Sequence, residues 1–288
     1  MDQSDLLTDQ YKDASNLSAR FQLHERFSTN KQGWHRWVFD QFDLTQECSI
    51  LELGCGPGWL WLKNMDRVPD GWEIALSDLS PGMLRQAQKN LGASHHRFTF
   101  QVIDAQSIPV SAEGFDAVVA NHMLYHVPNR AKAFSEICRV LRRGGVLYAS
   151  TVGRTHMREL GELVSMVGPT ADPWGGRAAE SFLLENGLNQ ISQWFTDVVL
   201  HRYEDALIIT EAEPLIAYVL STAAGSALAG DKLTQFIKLV EQELARDGAI
   251  RITKDSGIFE ASRGGCASSL LQPCAPRSAA HRGRHRRE

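Results

Sequence analysis

With 288 residues and 43% hydrophobic side chains, the chain can build one large α/β domain or two small ones around a sizeable core. A net charge of −4 leaves no broad basic field to neutralise a phosphate backbone, so nucleic acid is not an expected partner. None of the five cysteines forms a C-x-x-C pair of the zinc or redox kind, and reduced thiols in the cytoplasm are expected.

The start, Met1-Asp-Gln-Ser-Asp-Leu-Leu, has neither the basic n-region nor the apolar run of a signal peptide. Residues 1–44 read as a helical segment. Leu17, Phe21, His24 and Phe27 keep a helical rhythm over Asn16–Ser28, and Trp34, Trp37, Val38 and Phe42 form a second stripe. From residue 45 strand and helix patterns alternate. Strands are predicted at Ser49–Leu53, Glu73–Ser77, Phe98–Ile103, Phe115–Ala120 and Val146–Thr151, with helices at Trp59–Arg67, Pro81–Leu91 and Arg130–Leu141. Arg142-Arg-Gly-Gly145 reads as a helix stop and a turn. Such alternation implies a parallel sheet covered on both faces.

After Thr151 helices are predicted near His156–Val167, Ala178–Asn186, Glu211–Ser221 and Asp231–Asp247, with β-like segments at Trp194–Arg202 and Ile250–Phe259. Pro214 to Gly230, the longest weakly charged stretch, falls short of the roughly 20 apolar residues of a membrane helix, and no membrane partner is expected. From Ala261 the periodicity ends. The closing His-Arg-Gly-Arg-His-Arg-Arg-Glu has little to bury, so 261–288 reads as a disordered basic tail, the alternative being an arm for an acidic partner.

The string Ile50-Leu-Glu-Leu-Gly-Cys-Gly-Pro-Gly-Trp59 is the chemically informative segment. Glycine is needed where a chain turns at positive φ or where a ligand approaches bare backbone. A cluster of glycines after a strand points to a nucleotide-shaped ligand over the carboxyl edge of a sheet. A dinucleotide fingerprint would place a glycine at position 59, where Trp59 stands instead.

Glu52-Leu-Gly54-Cys-Gly56-Pro-Gly58 resembles the first motif of the class I S-adenosylmethionine-dependent methyltransferases. The resemblance covers about residues 45–152 closely and 153–260 loosely. It implies a Rossmann-like three-layer α/β sandwich with a mostly parallel seven-stranded sheet, one strand antiparallel, and a helical lid. The methyltransferase domain would span 45–260, with the lid drawn from the N-terminal segment and a helical insertion at about 153–190.

The cofactor implied is S-adenosylmethionine, and each of its parts makes a demand. Vicinal ribose hydroxyls suit an ionised carboxylate, and Asp78 ends the second strand at the expected distance; its alternative is a helix cap. Asp104 and Ala105 follow the third strand, where the family places an acid beside the adenine amine; a local turn is the other reading. Leu79 and Met83 could line the adenine slot or belong to the core. Backbone from Gly54 through Cys55 to Gly56, with Glu52 and Asn121, would surround the amino-acid end, although Glu52 could instead bond the glycine loop. Arg20 could hold the cofactor carboxylate and Tyr11 could face the sulfonium, or both could be surface or packing residues.

Methyl transfer needs a base only when the acceptor must lose a proton. The candidates, His122 and His126, lie in Asn121-His-Met-Leu-Tyr-His126-Val-Pro, and a packing role for His126 is the stronger of its two readings. That segment lacks the Asn/Asp-Pro-Pro-aromatic run of DNA-amine methyltransferases, and the cysteine pattern of arsenic methyltransferases is missing too. The expected function is methyl transfer to a small-molecule acceptor in specialised metabolism, with no metal. Two rivals stand beside it: a cyclase or lyase releasing methylthioadenosine, and a non-catalytic cofactor-binding module. A nicotinamide dehydrogenase is disfavoured by Trp59. Nothing in these motifs sets the acceptor, the methylated atom or the oligomeric state.

Overall fold

The computed structural model describes residues 15–169 and 181–264. A seven-stranded sheet organises them, made of β1 (Cys48–Leu53), β2 (Trp72–Asp78), β3 (Phe98–Val102), β4 (Phe115–Asn121), β5 (Leu141–Val152), β6 (Thr196–Ile209) and β7 (Ile250–Ser262). Their order is β3-β2-β1-β4-β5-β7-β6. The first five are mutually parallel, and β7 runs antiparallel to both β5 and β6. The expected fold is the one observed.

Strand alternation divides the core in two. Leu51 and Leu53 of β1 face α5 (Arg130–Val140) and α7 (Leu184–Ile191), packing with Phe134, Ile137 and Ile191. Ile50 faces the other layer, where α2 (Trp34–Asp40), α3 (Trp59–Leu62) and α4 (Pro81–Leu91) contribute Val38, Trp61 and Leu84. Local chemistry sets the helix starts. Ser80 caps α4 by accepting the Met83 N–H at 3.3 Å with Pro81 at the first turn, and Asn129 caps α5 by accepting the Lys132 N–H at 3.0 Å.

A third cluster lies beyond the strands' carboxyl ends. Leu23 of α1 (Ser15–Phe27), Leu160 of α6 (Arg158–Val167), Leu215 of α8 (Ala212–Leu220) and Phe236 of α10 (Asp231–Asp247) join Leu207 and Ile252 there; the short α9 (Ala224–Ala227) adds Ala224. The lid therefore draws on residues 212–247, which the sequence reading left out of it. Helix α7, by contrast, packs Leu184 and Ile191 on the sheet.

Three local readings change. Helix α3 stops at Leu62 rather than Arg67, because the Asn64 side chain donates to the Leu60 carbonyl at 2.8 Å and to the His35 carbonyl at 3.0 Å, competing with the helical ladder. Arg142–Gly145 is a bulged start of β5, its register with β4 shifting between Phe115 and Ala117. Strand β7 runs through Ala261 and Ser262, taking in the first residues assigned to the tail. Residues 265–288 lie outside the described residues, as do Ala178, Ala179 and Glu180 of the predicted Ala178–Asn186 helix; the helix that follows begins at Leu184 and runs to Ile191. No helix among the described residues is long and apolar enough to cross a membrane.

Candidate active site

Strand order reverses between β1 and β4, and there the loops diverge to leave a crevice. A cavity of about 850 Å³ opens at this point, roofed by α1 and the α1–α2 loop. Thirteen of the fourteen predicted site residues line it: Arg20, Glu52, Gly54, Cys55, Gly56, Asp78, Leu79, Met83, Asp104, Ala105, Asn121, His122 and His126. Tyr11 falls outside the described residues.

The glycine loop turns at positive φ, +67° at Gly54 and +52° at Gly56. A Cβ on Gly54 would strike the Met123 Cβ at 2.7 Å, whereas one on Gly56 would meet no atom within 4 Å. Gly54 thus serves packing, and Gly56 presents bare backbone to the cavity. The loop is tied to β2 twice. The Cys55 N–H donates to the Ser77 carbonyl at 2.8 Å, and the Gly56 N–H donates to Asp78 Oδ2 at 2.9 Å. Asp78 Oδ1 accepts the Ser80 N–H at 2.8 Å, so Asp78 braces the loop while Ser80 caps the helix. Burial pushes the Asp78 carboxyl above its usual range, against the pull of the Ser80, Gly56 and Leu79 amides.

Glu52 is buried on the α2–α4 face, where Oε2 accepts the Trp61 indole N–H at 2.6 Å. Among the described residues its side-chain partner is thus Trp61 rather than the glycine loop. Burial drives its carboxyl up to about 8, with the Trp61 bond opposing and the Asp78 charge adding. Asp104 makes local hydrogen bonds, accepting Gln106 N–H at 2.9 Å and the Gln106 amide at 3.1 Å, while still lining the cavity.

Across the switch point, Asn121 Oδ1 accepts the Ser150 hydroxyl at 2.6 Å and the Trp34 indole N–H at 3.3 Å. With Oδ1 so occupied, its amide N–H groups are what it can offer a ligand. His122 follows at φ +53°, an uncommon backbone for a non-glycine residue, held by its N–H bond to Ser150 Oγ at 3.0 Å. Its ring lies 4.8 Å from that of Trp34. Burial lowers His122 to about 4, helped by Lys254 and His126, and lowers His126 to about 4, helped by Arg20. Arg20 reaches from α1 and bonds Ser221, its Nε donating to Oγ at 3.1 Å and its second nitrogen to the carbonyl.

Sequence reasoning passed over several lining residues. Trp34 was assigned to a packing stripe yet bonds Asn121, His24 was read as part of a helical rhythm, and His35 was not singled out. Lys254 and His156 join them from β7 and from the loop after β5. Lys254 did leave a signal, since it shares the apolar phase of β7 with Ile250, Ile252 and Ile258.

These surroundings suit the implied cofactor. Asp78, Asp104 and the largely protonated Glu52 line the cavity beside bare backbone, a set of polar groups that suits a ligand with vicinal hydroxyls and amines. Among the described residues no group of three or more His, Cys, Asp or Glu could hold a metal ion.

Comparison with known proteins agrees. Residues 51–149 match the family model of a methyltransferase domain. The chain is 32% identical over 167 residues to a malonyl-(acyl-carrier protein) O-methyltransferase of Salmonella typhimurium, covering 56% of this chain and 61% of that protein. It is 34% identical over 115 residues to a demethylmenaquinone methyltransferase of Symbiobacterium thermophilum, covering 39% and 45%. The chain thus spans less than two-thirds of the length of these relatives. In fold it is similar to phosphoethanolamine N-methyltransferase 2 of Haemonchus contortus bound to S-adenosyl-L-methionine (TM-score 0.54, 18% identity, 91% of this chain and 60% of that one). It is also similar to the 4+2 cyclase SpnF (TM-score 0.52, 19% identity, 80% of each chain). Residues 51–149 thus form a methyltransferase domain, and the glycine loop and strand order around it are those expected of the class I S-adenosylmethionine-dependent type.

Proposed function

We propose that this protein transfers the methyl group of S-adenosylmethionine to a small-molecule acceptor and releases S-adenosylhomocysteine. The observation that carries this reading is the cavity at the β1/β4 switch point. At about 850 Å³ it extends past the residues that suit the cofactor to a second wall of His122, His126 and lid side chains. S-adenosylmethionine, when bound, supplies an electrophilic methyl group on a cationic sulfur. Asp78 would hold the ribose hydroxyls, and Asp104 with Ala105, Leu79 and Met83 the adenine. Glu52, Asn121, Arg20 and the backbone from Gly54 to Gly56 would hold the amino-acid end.

What remains for the chain is alignment and exclusion of water, which in well-oriented reactions is worth about 7–11 kcal/mol. The α1 roof and the Trp34–Asn121 bond support both tasks. Burial keeps His122 and His126 neutral at physiological pH, so either ring can accept a proton. Bases this weak suit an acceptor that is acidic or already ionised.

The test is incubation with labelled S-adenosylmethionine and a metabolite extract, followed by identification of the by-product. S-adenosylhomocysteine is expected. Methylthioadenosine would replace the reading with a cyclase or lyase, and binding without turnover would replace it with a cofactor-binding module.

A further inference from the structure

Away from the glycine loop the cavity is walled by rings that meet in pairs, one from the N-terminal helices and one from elsewhere in the fold. Phe21 of α1 stacks on Trp59 of α3, with centroids 4.4 Å apart and planes 27° from parallel. Trp34 of α2 lies 4.8 Å from the His122 ring at 39°. His24 of α1 stands edge-on to Tyr218 of α8 at 5.8 Å and 89°. All six line the cavity. Packing alone would cover their faces, yet all but Tyr218 are only half-buried, so ring surface stays open to a ligand. Such surface favours a further ring, stacked or edge-on, over an aliphatic group of equal area.

Charge on this wall is neutralised or absent. The Lys254 side chain is 6% exposed, donates to Asp205 Oδ2 at 2.6 Å and lies 5.3 Å over the Tyr203 ring. Glu25 pairs with Lys63 at 2.7 Å, and Arg20 is bonded to Ser221. Lys31 and Arg154 are exposed to water, where an ion pair contributes little. Burial keeps the His24 and His122 rings neutral. A charged acceptor would lose its hydration here without gaining a counter-ion.

One polar atom is left over. His24 Nδ1 is buried and has no hydrogen-bond partner among the described residues. In a neutral imidazole that nitrogen is either donor or acceptor, and a hydroxyl can satisfy both cases because it donates and accepts. A buried polar atom left unmet is costly, so a ligand that meets it gains on binding.

We propose that these rings and His24 form the acceptor subsite, and that it takes an uncharged aromatic ring bearing a hydroxyl, with the hydroxyl on His24 Nδ1. This rests on the reading of the glycine-loop side as the cofactor's. A nucleophile conjugated to that ring enters uncharged and is still acidified by delocalisation, as the weakness of His122 and His126 requires.

The test is equilibrium dialysis of the full chain, saturated with S-adenosylhomocysteine, against five probes at neutral pH. They are naphthol, its saturated analogue decahydronaphthol, anionic naphthoate, cationic naphthylmethylamine and methylnaphthalene, which lacks the hydroxyl. Naphthol is expected to bind about tenfold or more tightly than the saturated and charged probes. His24→Phe keeps a ring and removes both nitrogens. It should weaken naphthol by about fivefold or more, while methylnaphthalene and S-adenosylhomocysteine change by less than about twofold. Naphthol matched by decahydronaphthol or by either charged probe, not bound by wild type, or unaffected by His24→Phe would overturn the subsite. Failure of wild-type protein to bind S-adenosylhomocysteine would overturn the underlying reading instead. Should His24→Phe lose S-adenosylhomocysteine binding, His24→Asn, which keeps a polar atom near the Nδ1 position, decides with the wild-type probe series. Naphthol selectivity retained in that variant supports the subsite, and its loss overturns it.

Discussion

Gly56→Ala separates a glycine that serves a ligand from one that serves the fold. At φ +52° with no atom within 4 Å of a built Cβ, the substitution meets strain but no clash. Left-handed backbone costs an L-residue about 1–2 kcal/mol. For a protein of this size that amounts to a Tm lower by about 2–8 °C. Gly248, which ends α10 at φ +74° and also has nothing within 4 Å, is the matched control away from the cavity. Gly56→Ala and Gly248→Ala should therefore melt within a few degrees of each other by circular dichroism. They should part on binding. A methyl group intruding where ligand atoms pack costs about 1–3 kcal/mol, an affinity loss of about five- to 150-fold. Calorimetric titration with S-adenosylhomocysteine should record that loss in Gly56→Ala and none in Gly248→Ala. Wild-type affinity in Gly56→Ala, or its failure to fold while Gly248→Ala folds, would refute the argument that Gly56 is bare for the cofactor's sake.

Three further outcomes are expected. Asp78→Ala should weaken S-adenosylhomocysteine binding at least tenfold, since charge-assisted bonds are worth about 1.5–3 kcal/mol each; unchanged affinity would remove the ribose assignment. Glu52, held up at about 8, is mainly protonated at pH 7, and an ammonium docking beside it would drive the proton off. Titrations at pH 7 in buffers of different ionisation enthalpy should report release approaching one proton, lost in Glu52→Gln; equal proton counts in the two proteins would contradict the role. The histidines give a pH signature of stability. His122 and His126 fold at about 4 and His35 and His156 at about 3, each below its unfolded value of 6.5, so the unfolded chain binds more protons as pH falls from 6.5 toward 4. Each then removes up to about 1.4 kcal/mol per pH unit. Glu52 and Asp78, raised rather than lowered, gain stability over the same descent, but four groups outweigh two. Urea midpoints should fall between pH 7 and pH 5, and a flat profile would count against the buried, neutral histidines.

Much of the fold was legible because its signals are local. Pro81–Leu91 and Asp231–Asp247 have the boundaries read from sequence, one set by the Ser80-Pro81 start and Gly92, the other by Gly230 and Gly248. Where a side chain competes with the backbone, as Asn64 does, or where a strand swallows a glycine pair, as at Gly144-Gly145, periodicity gives no warning. The lid's share of residues 212–247 was hidden for another reason: an amphipathic helix announces that it packs, not on what.

The site divides along the same line. Glu52, Gly56, Asp78, Asp104 and Asn121 each follow or end a strand, so one-dimensional order already delivers them to one sheet edge, and with them the methyl donor. The Lys254–Asp205 pair and the meeting of His24 with His156 depend on segments remote in sequence that only chain packing brings together. Which residues stand at the strand ends of the switch point was thus determined by the sequence alone. Which remote side chains complete the cavity was decided by tertiary structure, because no local spacing encodes a wall assembled from α1, β7 and the loop after β5.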